Sequence, residues 1–188
     1  DQPVADMLCT LFAHQYADTG TWPQWFMFDD FREIQSSGAH GDIIFWPIKA
    51  FCDYIEPTGS FQILEKKAPY TDPGSFAFTT DTVALHEHIK KALKHIYNAC
   101  VEGTALLCYG DGDWNDSLQP VDPAMKTRMV SGWTAGLSHQ TLSALSKVWK
   151  IAGYTQDAEV LDGLLKKMKK DFQTHILKDG VAAGFVLF

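Results

Sequence analysis

A mainly α-helical fold, made of helical hairpins laid side by side as in an α/α barrel or toroid, is predicted by three observations. Apolar residues recur at helical spacing in successive segments, and long polar and aromatic connections join those segments. The 188-residue chain is also 46% hydrophobic and 13% aromatic, enough to bury a sizeable core. One domain over 1–188 is the expectation at this length.

The elements follow in order. In "VADMLCTLFAHQY", Val4, Met7, Leu8, Leu11 and Phe12 fall on one helical face. "DIIFWPIKAFCDYIEPTG" reads as a very apolar helix that opens at Asp42, carries Pro47 early and stops at "PTG". "DTVALHEHIKKALKHIYNACVEG" predicts a helix over 80–101 with Val83, Leu85, Ile89, Leu93 and Ile96 inward. "SHQTLSALSKVWKIAG" ends on Gly153, a good helix stop. Thr155 then caps a helix whose stripe is Val160, Leu164, Met168 and Phe172. The connections 19–41, 61–80 and 108–129 are longer than compact domains usually carry, which marks them as functional.

Composition excludes several classes of function. A net charge of −7 leaves no basic stripe for a phosphate backbone, so nucleic acid is not an expected partner. The "KKMKK" run at 166–170 reads as the solvated face of an amphipathic helix. No apolar run approaches the roughly 20 residues that span a bilayer, and no signal peptide is visible. Cys9, Cys52, Cys100 and Cys108 lack C-x-x-C spacing and fit buried free thiols in a reducing, cytoplasmic setting. The chain begins without Met and finishes on the apolar "VAAGFVLF", which suggests a piece of a longer protein.

The densest chemistry lies in "YGDGDWNDSLQP", residues 109–120. A calcium loop would explain the alternation of Asp111, Asp113 and Asn115, with Asp122 at the twelfth position. That loop, however, needs Gly at its sixth position, where Asp116 stands, and Pro120 and Pro123 stiffen its second half; no metal is therefore expected. A sugar site explains more. Trp114 offers a flat apolar platform for a pyranose ring, while Asp113, Asn115 and Gln119 offer donors and acceptors for hydroxyls. Clustered carboxylates also raise one another's pKa, which keeps a general acid protonated near neutral pH. Asp111 and Asp113 serve equally well as turn-closing residues. "HEH" at 86–88 places its imidazoles on different helix faces, and "GDG" at 110–112 lacks the third glycine of a dinucleotide loop.

The same loop resembles the G-D-W-N-D signature of the inverting β-glycoside phosphorylases. That group includes cellobiose and chitobiose phosphorylases, β-1,3-glucan phosphorylases and the phosphorylase module of cyclic β-1,2-glucan synthases. "HGDIIFWPIKAFCDYIEPTGSFQIL" resembles the family's S-D-D-L-L-W-L-P helix followed by E-Y-I-E-x-T-G-D. "ALHEHIKKAL" resembles its Y-E-H-x-x-R-A-L helix, and "AHQY" its A-A-H-Q-F. Order and spacing agree along nearly the whole chain. The resemblance implies an (α/α)6 barrel of which this chain is about half, so 1–188 is expected to be a fragment of a catalytic domain.

What the resemblance implies for the site is specific. Asp116 corresponds to the general acid, Trp114 to the Trp that lines the sugar subsite, and Asp42 to an Asp that holds glucosyl hydroxyls. His40, beside Asp42 on the loop side, is expected to face the site, and Trp133 to line the cleft or else pack in the core. Trp22 and Trp25 either shape a cleft rim or pin a loop. Inorganic phosphate, a co-substrate rather than a cofactor, attacks the anomeric carbon with inversion to give a sugar 1-phosphate, so one catalytic carboxylate suffices. The phosphate-binding residues fall outside this chain. Ser117, Leu118 and Gln119, the missing arginine before Asp42 and "MVSGWTAGL" depart from the disaccharide enzymes toward the oligosaccharide and β-1,3-glucan branch. The expected partners are thus a β-linked gluco-oligosaccharide and phosphate, together with a second copy or the remainder of the barrel to cover its exposed seam.

Overall fold

The computed structural model describes residues 2–36, 38–115 and 120–188. Its first helix, α1 (Gln2–Ala13), is followed by a long connection and then by α2 (Phe45–Thr58). A 3-10 turn (Phe61–Glu65) leads into an antiparallel pair, β1 (Lys67–Thr71) and β2 (Phe78–Ala84), and on to α3 (Leu85–Asn98). After the acidic loop come the short α4 (Met125–Arg128), β3 (Met129–Ser131) and two long helices, α5 (Gly132–Ala152) and α6 (Thr155–Asp171). A π turn (Phe172–Ile176) precedes β4 (Leu177–Lys178), β5 (Val181–Ala182) and β6 (Phe185–Leu187). Among the described residues, then, the fold is mainly helical, with three small two-stranded sheets.

The core forms where α2 packs on α1 and α5, and α5 on α6. Phe12, Phe45, Ile48, Phe51, Leu85, Ile89, Leu142, Leu145 and Trp149 are all fully buried there. A smaller cluster of Val101, Leu106, Val130, Ala135 and Ile176 lies around β3. Trp22 is buried as well, and its indole N–H donates to the Leu11 carbonyl at 2.9 Å, so this Trp pins its loop.

Several expectations are corrected. Residues 80–84 are strand, not helix: the β-branched Thr79, Thr80, Thr82 and Val83 lie in β2, which pairs with β1, Ala68 opposite Val83 and Pro69 opposite Thr82. On α1 the buried stripe is Ala5, Leu8 and Phe12, while Val4 and Met7 face out. On α6 it is Ala158, Leu161, Leu164 and Met168, with Val160 exposed. In both helices an alanine lies on the buried face beside the larger Leu, Phe or Met side chains, and its small size allows close approach of the partner. Thr155 lies within α6 behind Tyr154, which makes no side-chain capping bond. Helix α2 likewise starts at Phe45 without a side-chain cap, three residues beyond Asp42. Its end at Gly59 and that of α5 at Gly153 fall where the sequence places them.

The connection 61–80, read as a loop, holds the 3-10 turn and most of the hairpin, and it anchors the end of α1. Thr71 N–H donates to the Gln15 carbonyl at 2.8 Å, and the Thr71 hydroxyl donates to Ala13 O at 2.8 Å. Gln15 Nε2 bonds the carbonyls of Gly20 and His88, and Gln15 Oε1 meets His88 Nδ1 at 2.7 Å. His88 is therefore the buried packing and hydrogen-bonding residue that its helix suggests.

Beside this network His14 is buried with neither ring nitrogen hydrogen-bonded among the described residues. Its ring stacks on Phe26 with centroids 3.7 Å apart. Burial holds its pKa down to about 4 from the usual 6.5. Folding thus favours the neutral imidazole: the stability it contributes is complete above pH 6.5 and is lost as pH falls through about 4. Melting temperatures measured across that window are expected to decline toward acid, and His14→Phe, which keeps the stack without the titration, is expected to flatten the decline.

Candidate active site

The segments that follow α1, precede α2, follow α3 and precede α5 meet at one place. His40 and Gly110 form an antiparallel β-bridge, and Gly41 N–H donates to the Gly112 carbonyl at 2.9 Å. Tyr109 N–H donates to Met129 O at 2.7 Å, which ties the acidic loop to β3. Gly112 has φ +154, and a Cβ there would lie 2.8 Å from the His40 ring. The imidazole therefore rests on a bare backbone, and glycine is required for that contact.

Asp113 is fully buried and is the keystone of the loop. Its Oδ2 accepts from the Ser131 hydroxyl at 2.6 Å, and its Oδ1 accepts from Asn115 N–H at 3.0 Å and from the Tyr109 hydroxyl at 3.4 Å. Ser131 is also the N-cap of α5, accepting from Thr134 N–H at 3.3 Å. The helix start and the acidic loop thus share one hydroxyl. Burial and the Asp113 carboxylate push the Tyr109 phenol up to about 12, so it stays protonated and donates. Asp113 accordingly turns inward as a support, and Trp114 turns out.

Trp114 is 62% exposed and Trp133 46%, and their rings sit 5.7 Å apart at an interplanar angle of 56°. Trp133 is therefore at the surface beside Trp114 and not in the core. Asp42 is 3% exposed; its Oδ2 accepts from the Trp46 indole N–H at 3.3 Å. Its Oδ1 is buried without a hydrogen-bond partner among the described residues. Burial raises the Asp42 pKa most, and nearby Asp113 raises it further, against the Trp46 bond and the His40 charge. A buried acceptor with an open lone pair beside a half-exposed Trp suits a ligand hydroxyl.

The site thus brings together His40, Asp42, Asp113, Trp114, Asn115 and Trp133. Asp116 and Gln119 lie outside the described residues, as do Ser117 and Leu118. Asp111 pairs with Lys126 on the rim. Among the described residues no three His, Cys, Asp or Glu side chains converge as a metal set. A cavity of about 520 Å³ adjoins the same loops, lined by Tyr16, His40, His95, Asp111 and Lys126 but not by Asp42 or Asp113. Sequence reasoning missed Trp46, Ser131 and Tyr109. Trp46 stands four residues beyond Asp42, one helical turn, and "SGWT" at 131–134 carries an N-cap signal that could have revealed Ser131.

A match to the catalytic domain of the glycosyl hydrolase 94 superfamily spans residues 28–181. The chain belongs to that superfamily. Among its relatives, a 1,2-β-oligoglucan phosphorylase of Listeria innocua serovar 6a is 42% identical over 181 residues, covering 96% of this chain and 16% of that protein. Two Paenibacillus borealis enzymes are 27% identical. A 3-O-β-D-glucopyranosyl-β-D-glucuronide phosphorylase matches over 78% of this chain and 18% of its own length, and a solabiose phosphorylase over 50% and 11%. The chain thus spans less than a fifth of each relative. No helix among the described residues is long and apolar enough to cross a membrane.

Proposed function

We propose that this chain supplies the acid-bearing part, about half, of the (α/α)6 barrel of an inverting glycoside phosphorylase. Its substrates are β-linked gluco-oligosaccharides and inorganic phosphate, and its product is α-glucose 1-phosphate. The observation that carries the reading is the open, buried Oδ1 of Asp42 beside Trp46, within the field of Asp113 in the loop that presents Trp114. An uncharged polyol fits that acceptor and those rings, whereas an anion there would meet two carboxylates.

In the mechanism Asp116 protonates the departing glycosidic oxygen as the C–O bond breaks, while phosphate adds to the anomeric carbon from the opposite face. Asp42 accepts a hydroxyl of the reacting glucosyl unit and Trp114 stacks on a ring. His40, Asn115, Gln119 and Trp133 complete the sugar contacts, and Asp113 holds the loop. Phosphate arrives as an anion, so no protein base and no cofactor is required. The greater identity to the 1,2-β-oligoglucan enzyme supports β-1,2-linked chains as the preferred class. The four free cysteines support a cytoplasmic setting.

The test uses the full-length protein on β-1,2-, β-1,3- and β-1,4-gluco-oligosaccharides with and without phosphate, followed by ³¹P NMR. α-Glucose 1-phosphate formed only with phosphate, fastest on the β-1,2 series, is the expected result. Free glucose released equally without phosphate would make the enzyme an inverting hydrolase, and no product from any substrate would leave only a binding module.

A further inference from the structure

Residues 25–36 fold into a narrow two-armed ribbon that the mechanism above does not use. Phe26 and Gln35 face each other across it, Met27 N–H donates to Ile34 O at 3.0 Å, and Ser36 N–H donates to Trp25 O at 3.0 Å. A 3-10 turn, Asp29–Phe31, closes the tip. The inner face is already occupied: Phe26 stacks on His14, and the Arg32 guanidinium lies over the Phe78 ring, 5.2 Å from its centroid. Residues directly opposite share a face, so Trp25, Met27 and Ile34 form the outer one. These three, with Phe28 and Phe31 at the tip, are each about half exposed or more.

The ribbon rises from the edge of the candidate site. Gln24, at its base, accepts the His40 N–H at 2.8 Å, and the His40 ring rests on Gly112, two residues before Trp114. Each arm of about four residues reaches roughly 13 Å, longer than one pyranose ring. Asp29, Asp30 and Glu33 stand exposed among the aromatic rings at the tip, which adds hydroxyl acceptors and disfavours an anionic ligand.

We propose that this ribbon is an auxiliary binding surface for the distal glucosyl residues of a β-glucan chain whose reacting end lies at Asp42 and Trp114. The proposal rests on the phosphorolysis reading for the reacting end, but its own evidence is the placement and chemistry of the ribbon. Trp25 and Phe31 give ring faces, and the tip carboxylates accept hydroxyls. The T-shaped contact of Phe28 with Phe26, centroids 5.5 Å apart, holds the tip against the anchored face.

The test is the double variant Trp25→Ala, Phe31→Ala in the full-length protein, assayed on β-1,2-gluco-oligosaccharides of increasing length. A roughly tenfold fall in kcat/KM on long chains, with the shortest accepted substrate within about twofold of wild type, is the expected result. Retardation of the native protein in gels containing β-1,2-glucan polymer reads binding without turnover, and it is expected to be lost in the variant. Equal activity at every length with unchanged retardation would overturn the proposal. A uniform loss at every length, with a lowered melting temperature or an altered sedimentation coefficient, would also overturn it and make the ribbon a protein-packing surface. A wild type that turns over no β-glucan, yet loses retardation in the variant, would sink the phosphorolysis reading and leave the ribbon's role intact.

Discussion

Replacing Asp116 with Asn is expected to lower kcat on unactivated gluco-oligosaccharides by about 10²- to 10⁴-fold, the usual contribution of a positioned general acid. The amide cannot give a proton to the leaving oxygen, while the groups proposed to hold the sugar, Asp42 and Trp114, are untouched, so KM should move little. The diagnostic readout is the leaving group. A nitrophenyl β-glucoside departs without protonation, so the deficit should shrink on it by an order of magnitude or more. A deficit of the same size on both substrates would mean that Asp116 acts through the loop's shape and does not supply the proton.

Asp113→Ala is expected to cost about 3 kcal/mol, because it strands the Ser131 and Tyr109 hydroxyls inside the protein and frees the Asn115 N–H. In a cooperative domain of about 150–250 residues that is a fall in its melting transition of roughly 6–12 °C. Activity should fall at least a hundredfold, since the loop proposed to carry the acid loses its seat at Asp113 and small misplacements are costly. Asp113→Asn separates the two effects. One amide oxygen still accepts from Ser131, but the NH2 group opposes the Asn115 N–H and the Tyr109 hydroxyl, both donors. Its melting temperature should lie between those of Asp113→Ala and wild type, measured by calorimetry on the full-length protein. A neutral Asp113→Ala would remove Asp113 as the support of the site.

These expectations depend on features of unequal legibility. The helices were readable wherever apolar spacing was long and a stop such as Gly153 closed it, and the meaning of "DWND" came from its resemblance to a family signature. Residues 80–84 read as helix in the sequence because a short run of Thr and Val continues smoothly into the apolar register of α3, and only pairing with β1 decides between strand and helix. The inward turn of Asp113 was not readable either. Neighbouring carboxylates look alike in sequence, and the difference comes from Ser131 and Tyr109, which the chain delivers from β3 and from the strand-like approach to the loop. Trp22 and Trp25 show the same limit three residues apart, one buried as a pin and the other left bare on the ribbon.

The β3–β6 pair has a consequence for how the protein is made. Met129, Val130 and Ser131 pair with Leu187, Val186 and Phe185, and Gly132 N–H donates to the Gly184 carbonyl at 2.8 Å. The hydroxyl that seats Asp113 is thus held in register by residues more than fifty positions later. On the ribosome, α1 to α3 and the acidic loop emerge well before that clamp exists, so the site is assembled last and out of chain order. A nascent chain halted before residue 184 should resist protease over α2 and α3 while residues 109–131 are still cut.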